Sequence, residues 1–154
     1  MPSKQAHLAA VARNRKAGSI LLQQDDDCLP WVVVCAFYEG LHLVEALLSI
    51  DEKAPRRHCP DHETRNDVLR RTNRYERIWR SYRQLQQASM VARYLSFHGD
   101  GQTYSRFTDY LTRDEIEQKV VNDWLHQIHK SVNKLVKLPD LQTSSATTQP
   151  NSQP

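Results

Sequence analysis

At 154 residues, with 39% hydrophobic and 25% charged side chains, the chain is long enough for one domain with a single core, and it is globular over most of its length. A formal charge of +3 is too small to imply a nucleic-acid partner by itself, and the three cysteines, Cys28, Cys35 and Cys59, are an odd count without metal-ribbon spacing. Polar first residues exclude an ordinary secretory signal. No run of about 18 apolar residues is read, so no membrane span is expected and a reducing cytoplasm is the expected compartment.

In chain order, the first predicted helix covers residues 3–24, with Leu8, Val11, Leu21 and Leu22 on its apolar face and Gly18 loosening it. Asp25, Asp26 and Asp27 form an acidic linker that suits the N-terminus of the next helix, and Pro30 fits that helix's first turn. The second helix ends near Ile50 and is apolar on nearly every side. A polar loop follows over residues 51–60. Pro60-Asp61-His62-Glu63 then reads as a helix start with acids in its first turn. One long helix is expected over residues 61–98, with Val68, Tyr75, Ile78, Trp79, Tyr82 and Leu85 on one side and arginines on the other.

Gly99 and Gly101 break that helix, and residues 102–110 read as a loop. Thr112-Arg113-Asp114-Glu115 has the form of a capping box that opens a last helix over residues 113–138. From Pro139 the chain is Ser, Thr, Gln, Pro and Asn, a composition that buries no core. The expected organisation is therefore a helical domain, 1–138, and a disordered polar tail, 139–154. Period-2 alternation does not recur, and the fold class expected is all-α: an antiparallel up-down bundle of four to five helices.

Three constellations carry chemistry. Tyr38, His42 and Glu45 fall at i, i+4 and i+7 on the apolar second helix, so they share one stripe. Each buried polar group costs roughly 1–3 kcal/mol unless hydrogen-bonded, so the stripe is either a structural polar network or a site. His62 and Arg65, one turn apart at a helix start with free N–H groups, could hold a phosphate. His58 and His62 are four apart, but Pro60 interrupts the helix that would let them share a metal, and no metal or cofactor is expected. Seven arginines lie from Arg65 to Arg83, among them Arg70, Arg74 and Arg77, against Asp67 and Glu76 alone. Such a stripe either binds phosphates electrostatically or is a solvated or paired helix face. No glycine-rich phosphate loop, nucleophile elbow or zinc-protease pattern is present.

Read in order, Trp31, Phe37-Tyr38, His42-Leu-Val-Glu45-Ala46, His62-Glu-Thr-Arg65-Asn66 and Ser89-Met-Val-Ala92-Arg93-Tyr94 resemble the HEPN (higher eukaryotes and prokaryotes nucleotide-binding) family. The likeness is to small prokaryotic HEPN-like proteins, over about residues 5–135. The resemblance implies a helical bundle, often a homodimer, whose Arg-x4–6-His pair in many members cleaves RNA without metal. Carried onto this chain, that catalytic pair is Arg93 and His98: His activates the ribose hydroxyl or protonates the leaving oxygen, and Arg stabilises the phosphorane. Three readings follow. The first is a nucleotide- or nucleic-acid-binding module using Tyr38, His42, Glu45, His62, Arg65 and Arg93. The second is a metal-independent endoribonuclease acting as a toxin or defence effector. The third is a structural dimeric scaffold around a buried polar network.

Overall fold

The protein is described here from a computed structural model that covers residues 2–96 and 101–138; the expected tail and His98 lie outside the described residues. Five helices and no strand make an all-α helical bundle among those residues, with one isolated antiparallel bridge between Ser96 and Thr103. Helix α1 is Lys4–Leu22, started by Ser3, whose hydroxyl accepts from the Ala6 N–H. A 3-10 turn, Asp26–Cys28, leads into α2, Leu29–Ile50, with Pro30 in its first turn. The two helices run antiparallel: His7 meets His42 near one end and Gly18 meets Cys35 near the other.

Helix α2 is the axis of the bundle. Val33, Phe37, Val44, Leu47 and Leu48 are fully buried, and α1 and α4 pack on different sides of it. The stretch Asp26–Ile50 is long and apolar enough to cross a membrane by length and composition, which the sequence reading did not register; 67% of its most apolar window is buried inside the bundle. Gly40 permits the tightest approach: a Cβ there would meet Leu85 Cδ1 at 3.2 Å and Ile128 Cδ1 at 3.3 Å.

The expected long third helix is two helices. Helix α3, His62–Arg71, and helix α4, Glu76–Tyr94, are separated by an extended Thr72 and a 3-10 turn, Asn73–Tyr75. The cause is tertiary. The buried Asp51 at the end of α2 accepts from Arg74 Nε at 2.8 Å and from the Tyr75 hydroxyl at 2.8 Å, and a continuous helix would not place both on it. Burial alone would raise the Asp51 pKa. Hydrogen bonds from Arg74, the Lys53 N–H and Tyr75 outweigh that and hold the carboxyl below its usual range. Helix α4 also stops earlier than expected, at Leu95, which takes the left-handed conformation with φ 52°.

The last helix, α5, spans residues 113–135: a first turn Arg113–Glu115, a π-wound stretch Ile116–Leu125 and an α-helical end His126–Leu135. The Thr112/Glu115 capping box is formed as the sequence indicates. Arg113 ties this end to the α1–α2 link by donating to the carbonyls of Leu22 and Gln24 and to Asp26. The helix ends at Leu135 rather than at residue 138, because Val136 is extended.

Candidate functional site

The sequence stripe and the α3 start converge around one carboxylate. Glu45, 1% exposed, accepts from Arg65 Nε at 2.7 Å on one oxygen. Its other oxygen accepts from His58 Nδ1 at 2.9 Å and from the Cys59 N–H at 3.3 Å. Arg65, 5% exposed, also donates to the Cys59 carbonyl at 3.2 Å. This clamp pins the 51–61 connection and the first turn of α3 onto the C-terminal part of α2. Cys59 is inside it; burial, reinforced by Glu45, pushes its thiol up to about 11, so it is an unreactive group.

On the inner side, His7 of α1 and His42 of α2 face each other with their Nδ1 atoms 3.1 Å apart. One ring must donate and the other accept, so the pair holds at least one neutral imidazole. Desolvation is the first cause lowering both pKa values. Each has Arg65 nearby, His42 also has His7, and Glu45 opposes the shift.

On the outer side, the Arg65 Nη1 lies 3.3 Å from His62 Nδ1. A guanidinium only donates, so His62 Nδ1 accepts and the neutral ring carries its proton on Nε2. The inner face of the ring lies on Phe37, centroids 5.7 Å apart, while the residue is exposed. Desolvation by burial, then Arg65, then Arg93, lower its pKa, and Asp61 opposes them. His62 thus sits on the rim, with a second cation, Arg93, close enough to repel its protonated form. Arg93 itself is half-buried, held by the Ser89 carbonyl and lying over the Tyr94 ring.

The α3–α4 seam below this rim carries unmet hydrogen-bonding capacity. Asn66 Oδ1, the Tyr82 hydroxyl and Ser89 Oγ are buried without a hydrogen-bond partner among the described residues. Burial pushes the Tyr82 hydroxyl up to about 12, while the neighbouring Arg65 pulls it down.

Of the residues singled out from sequence, His42, Glu45, His62 and Arg65 are brought together in this way, with Arg93 beside them. Tyr38 is half-buried beside Phe37 and makes no hydrogen bond among the described residues. The arginine stripe is not one face, because the break at residues 72–75 divides it and acids on the fold take most of it. Arg70 and Arg71 pair with Asp67, Arg74 with Asp51 and Arg80 with Glu76, and Arg65 is interior. Arg77 is exposed, with no ion pair among the described residues. The catalytic pairing of Arg93 with His98 falls on a residue outside the described ones.

A second polar group went unread in the sequence. Glu39, 2% exposed, accepts from Arg15 Nε at 3.0 Å and from His129 Nε2 at 2.7 Å, joining α1, α2 and α5. It borders a cleft of about 500 Å³ against α5, where Asn122 of the π-wound stretch and His126 just after it are among the lining residues. The available signal was Glu39 itself, a second carboxylate on the apolar helix, three residues before His42. His129 had no counterpart in the sequence pattern, because its partners lie 114 and 90 residues away. The chain matches no family model, no curated protein and no solved structure.

Proposed function

We propose that this chain is a HEPN-like helical module that binds the phosphate of a nucleotide or of RNA at the rim formed by His62 and Arg93. The observation that carries this reading is the orientation of His62. Its Nδ1 is occupied by a buried arginine, which leaves an Nε2–H donor on an exposed residue near a second cation, Arg93 of α4. A phosphate oxygen is the acceptor such a rim suits, since an N–H and a guanidinium both favour an anion; the α3 start itself is already capped by the Asp61 carboxylate. The buried Ser89 Oγ and Asn66 Oδ1 beneath have hydrogen-bonding capacity left for ordered water. Arg65 is not the ligand cation in this reading; Glu45 neutralises it, and its role is to hold His62.

The test is a thermal-shift titration of the full chain with mononucleotides and short RNA at low salt, with His62→Ala and Arg93→Ala alongside. A ligand-dependent rise in midpoint that both variants abolish is expected. No shift with any of these ligands would overturn the reading. RNA cleavage in the same samples, lost in Arg93→Ala, would turn the module into the metal-independent endoribonuclease that the resemblance implies.

A further inference from the structure

Three segments far apart in the chain deliver metal-binding side chains to one point on the inner side of the clamp. His7 comes from the second turn of α1, Glu45 from α2 and His58 from the 51–61 connection. One donor atom from each lies within 4.8 Å of the other two. A hydrogen bond joins His58 to Glu45, but none joins His7 to either; His7 turns its Nδ1 to His42 instead. The three donors therefore surround a point that is no more than about 2.8 Å from each, compared with roughly 2.0–2.2 Å for zinc bound to imidazole or carboxylate. The contraction needed is under an ångström per ligand. The His58 connection has no helix of its own to resist it.

The surroundings are those of a supported metal site. A ligating imidazole ordinarily gives its other nitrogen to an acceptor, and a ligating carboxylate is itself hydrogen-bonded. Here the second partner of His7 is His42, and the free oxygen of Glu45 is taken by Arg65 at 2.7 Å. Two imidazoles and one carboxylate form a nitrogen-rich set that suits zinc or a neighbouring transition ion over calcium or magnesium, which prefer all-oxygen shells. From sequence, His58 pointed instead to His62, with Pro60 between them. In the fold the two part: His62 goes to the rim and His58 to the interior carboxylate.

We propose that His7, Glu45 and His58 form a site for one divalent transition metal, zinc fitting the donors best, with His42 and Arg65 fixing the ligands from behind. The inference does not rest on phosphate binding at the rim, because His62 and Arg93 supply none of the ligands. Untagged full-length protein, stripped with a chelator and desalted, would be loaded with Zn2+ and its bound metal counted after a second desalting. Co2+ would serve as the optical probe of ligand geometry. About one equivalent is expected. His58→Ala and His7→Asn should each weaken binding by about 10–100-fold or more, and His62→Ala should leave it unchanged. His58→Ala alters a half-exposed loop residue and should keep its helical circular-dichroism spectrum, so loss of metal there reports the ligand and not unfolding. Failure of wild type to retain Zn2+, or equal retention by folded His58→Ala, would overturn the proposal. Nucleotide-dependent stabilisation, measured separately on the stripped protein, keeps this outcome distinct from the fate of the phosphate reading.

Discussion

Replacing Arg65 with methionine is the sharpest test of the Glu45 clamp. The substitution keeps the length and apolar stem of the side chain but removes the 2.7 Å bond to a carboxylate that is 1% exposed. Deleting one partner of a buried ion pair costs about 3–5 kcal/mol, because the other charge is stranded out of water. Glu45 would keep two donors, His58 Nδ1 and the Cys59 N–H, so the lower end, about 3 kcal/mol, is the expected loss. For a chain of this size each kcal/mol moves the thermal midpoint by about 2–4 °C, giving a fall of roughly 6–12 °C. Urea titration should show a lower midpoint with an unchanged slope, since the packing around the site is kept. Adding Glu45→Gln to Arg65→Met should cost less than the sum of the two single changes, with a coupling of about 1 kcal/mol or more. A loss below about 1 kcal/mol for Arg65→Met, or additive behaviour of the pair, would refute the view that this clamp is a desolvated ion pair.

Other outcomes follow from the same geometry. His7 and His42 have folded-state pKa values below the ordinary 6.5. The unfolded chain therefore takes up more protons, and the stabilisation present above pH about 6.5 should be lost as pH falls toward 5; urea midpoints of the metal-free protein at the two ends check this, and a flat profile, or one that the His7→Gln/His42→Gln double variant leaves unchanged, contradicts it. Gly40→Val should destabilise by about 1–3 kcal/mol, because its branches meet Leu85 and Ile128 where even a Cβ is tight; a midpoint equal to wild type would show that the packing of α4 and α5 on α2 yields easily. Leu95→Gly relieves a left-handed strain of about 1–2 kcal/mol at φ 52° but gives up a side chain that is only 36% exposed, so a net change below about 1 kcal/mol is expected; a larger shift of the urea midpoint in either direction would show that the two effects do not offset each other.

What the sequence carried about the fold is what local periodicity and caps encode. The apolar second helix, the Thr112/Glu115 capping box and the all-α class are one-dimensional signals, and each is present in the structure. The break between α3 and α4 is not such a signal. Residues 61–98 have helical periodicity throughout, and the interruption at Thr72 comes from Arg74 and Tyr75 reaching an aspartate that ends a different helix. The winding of α5 into a π stretch likewise has no local cue.

The candidate site divides along the same line. That Tyr38, His42 and Glu45 share a stripe follows from 3.6 residues per turn, and an unmatched His and Glu on an apolar helix announced a polar centre before any coordinates. The partners of those groups were beyond the reach of spacing. His7 to His42, His58 and Arg65 to Glu45, and Arg15 and His129 to Glu39 are pairings across 35, 13, 20, 24 and 90 residues. Hydrogen-bond partners at such separations are chosen by how helices dock, not by the order of residues along one of them. The sequence by itself therefore determined which helix holds buried charge. Tertiary packing alone decided which charges neutralise it, which histidine faces solvent, and that the arginines of the third segment are mostly spoken for by acids on the fold.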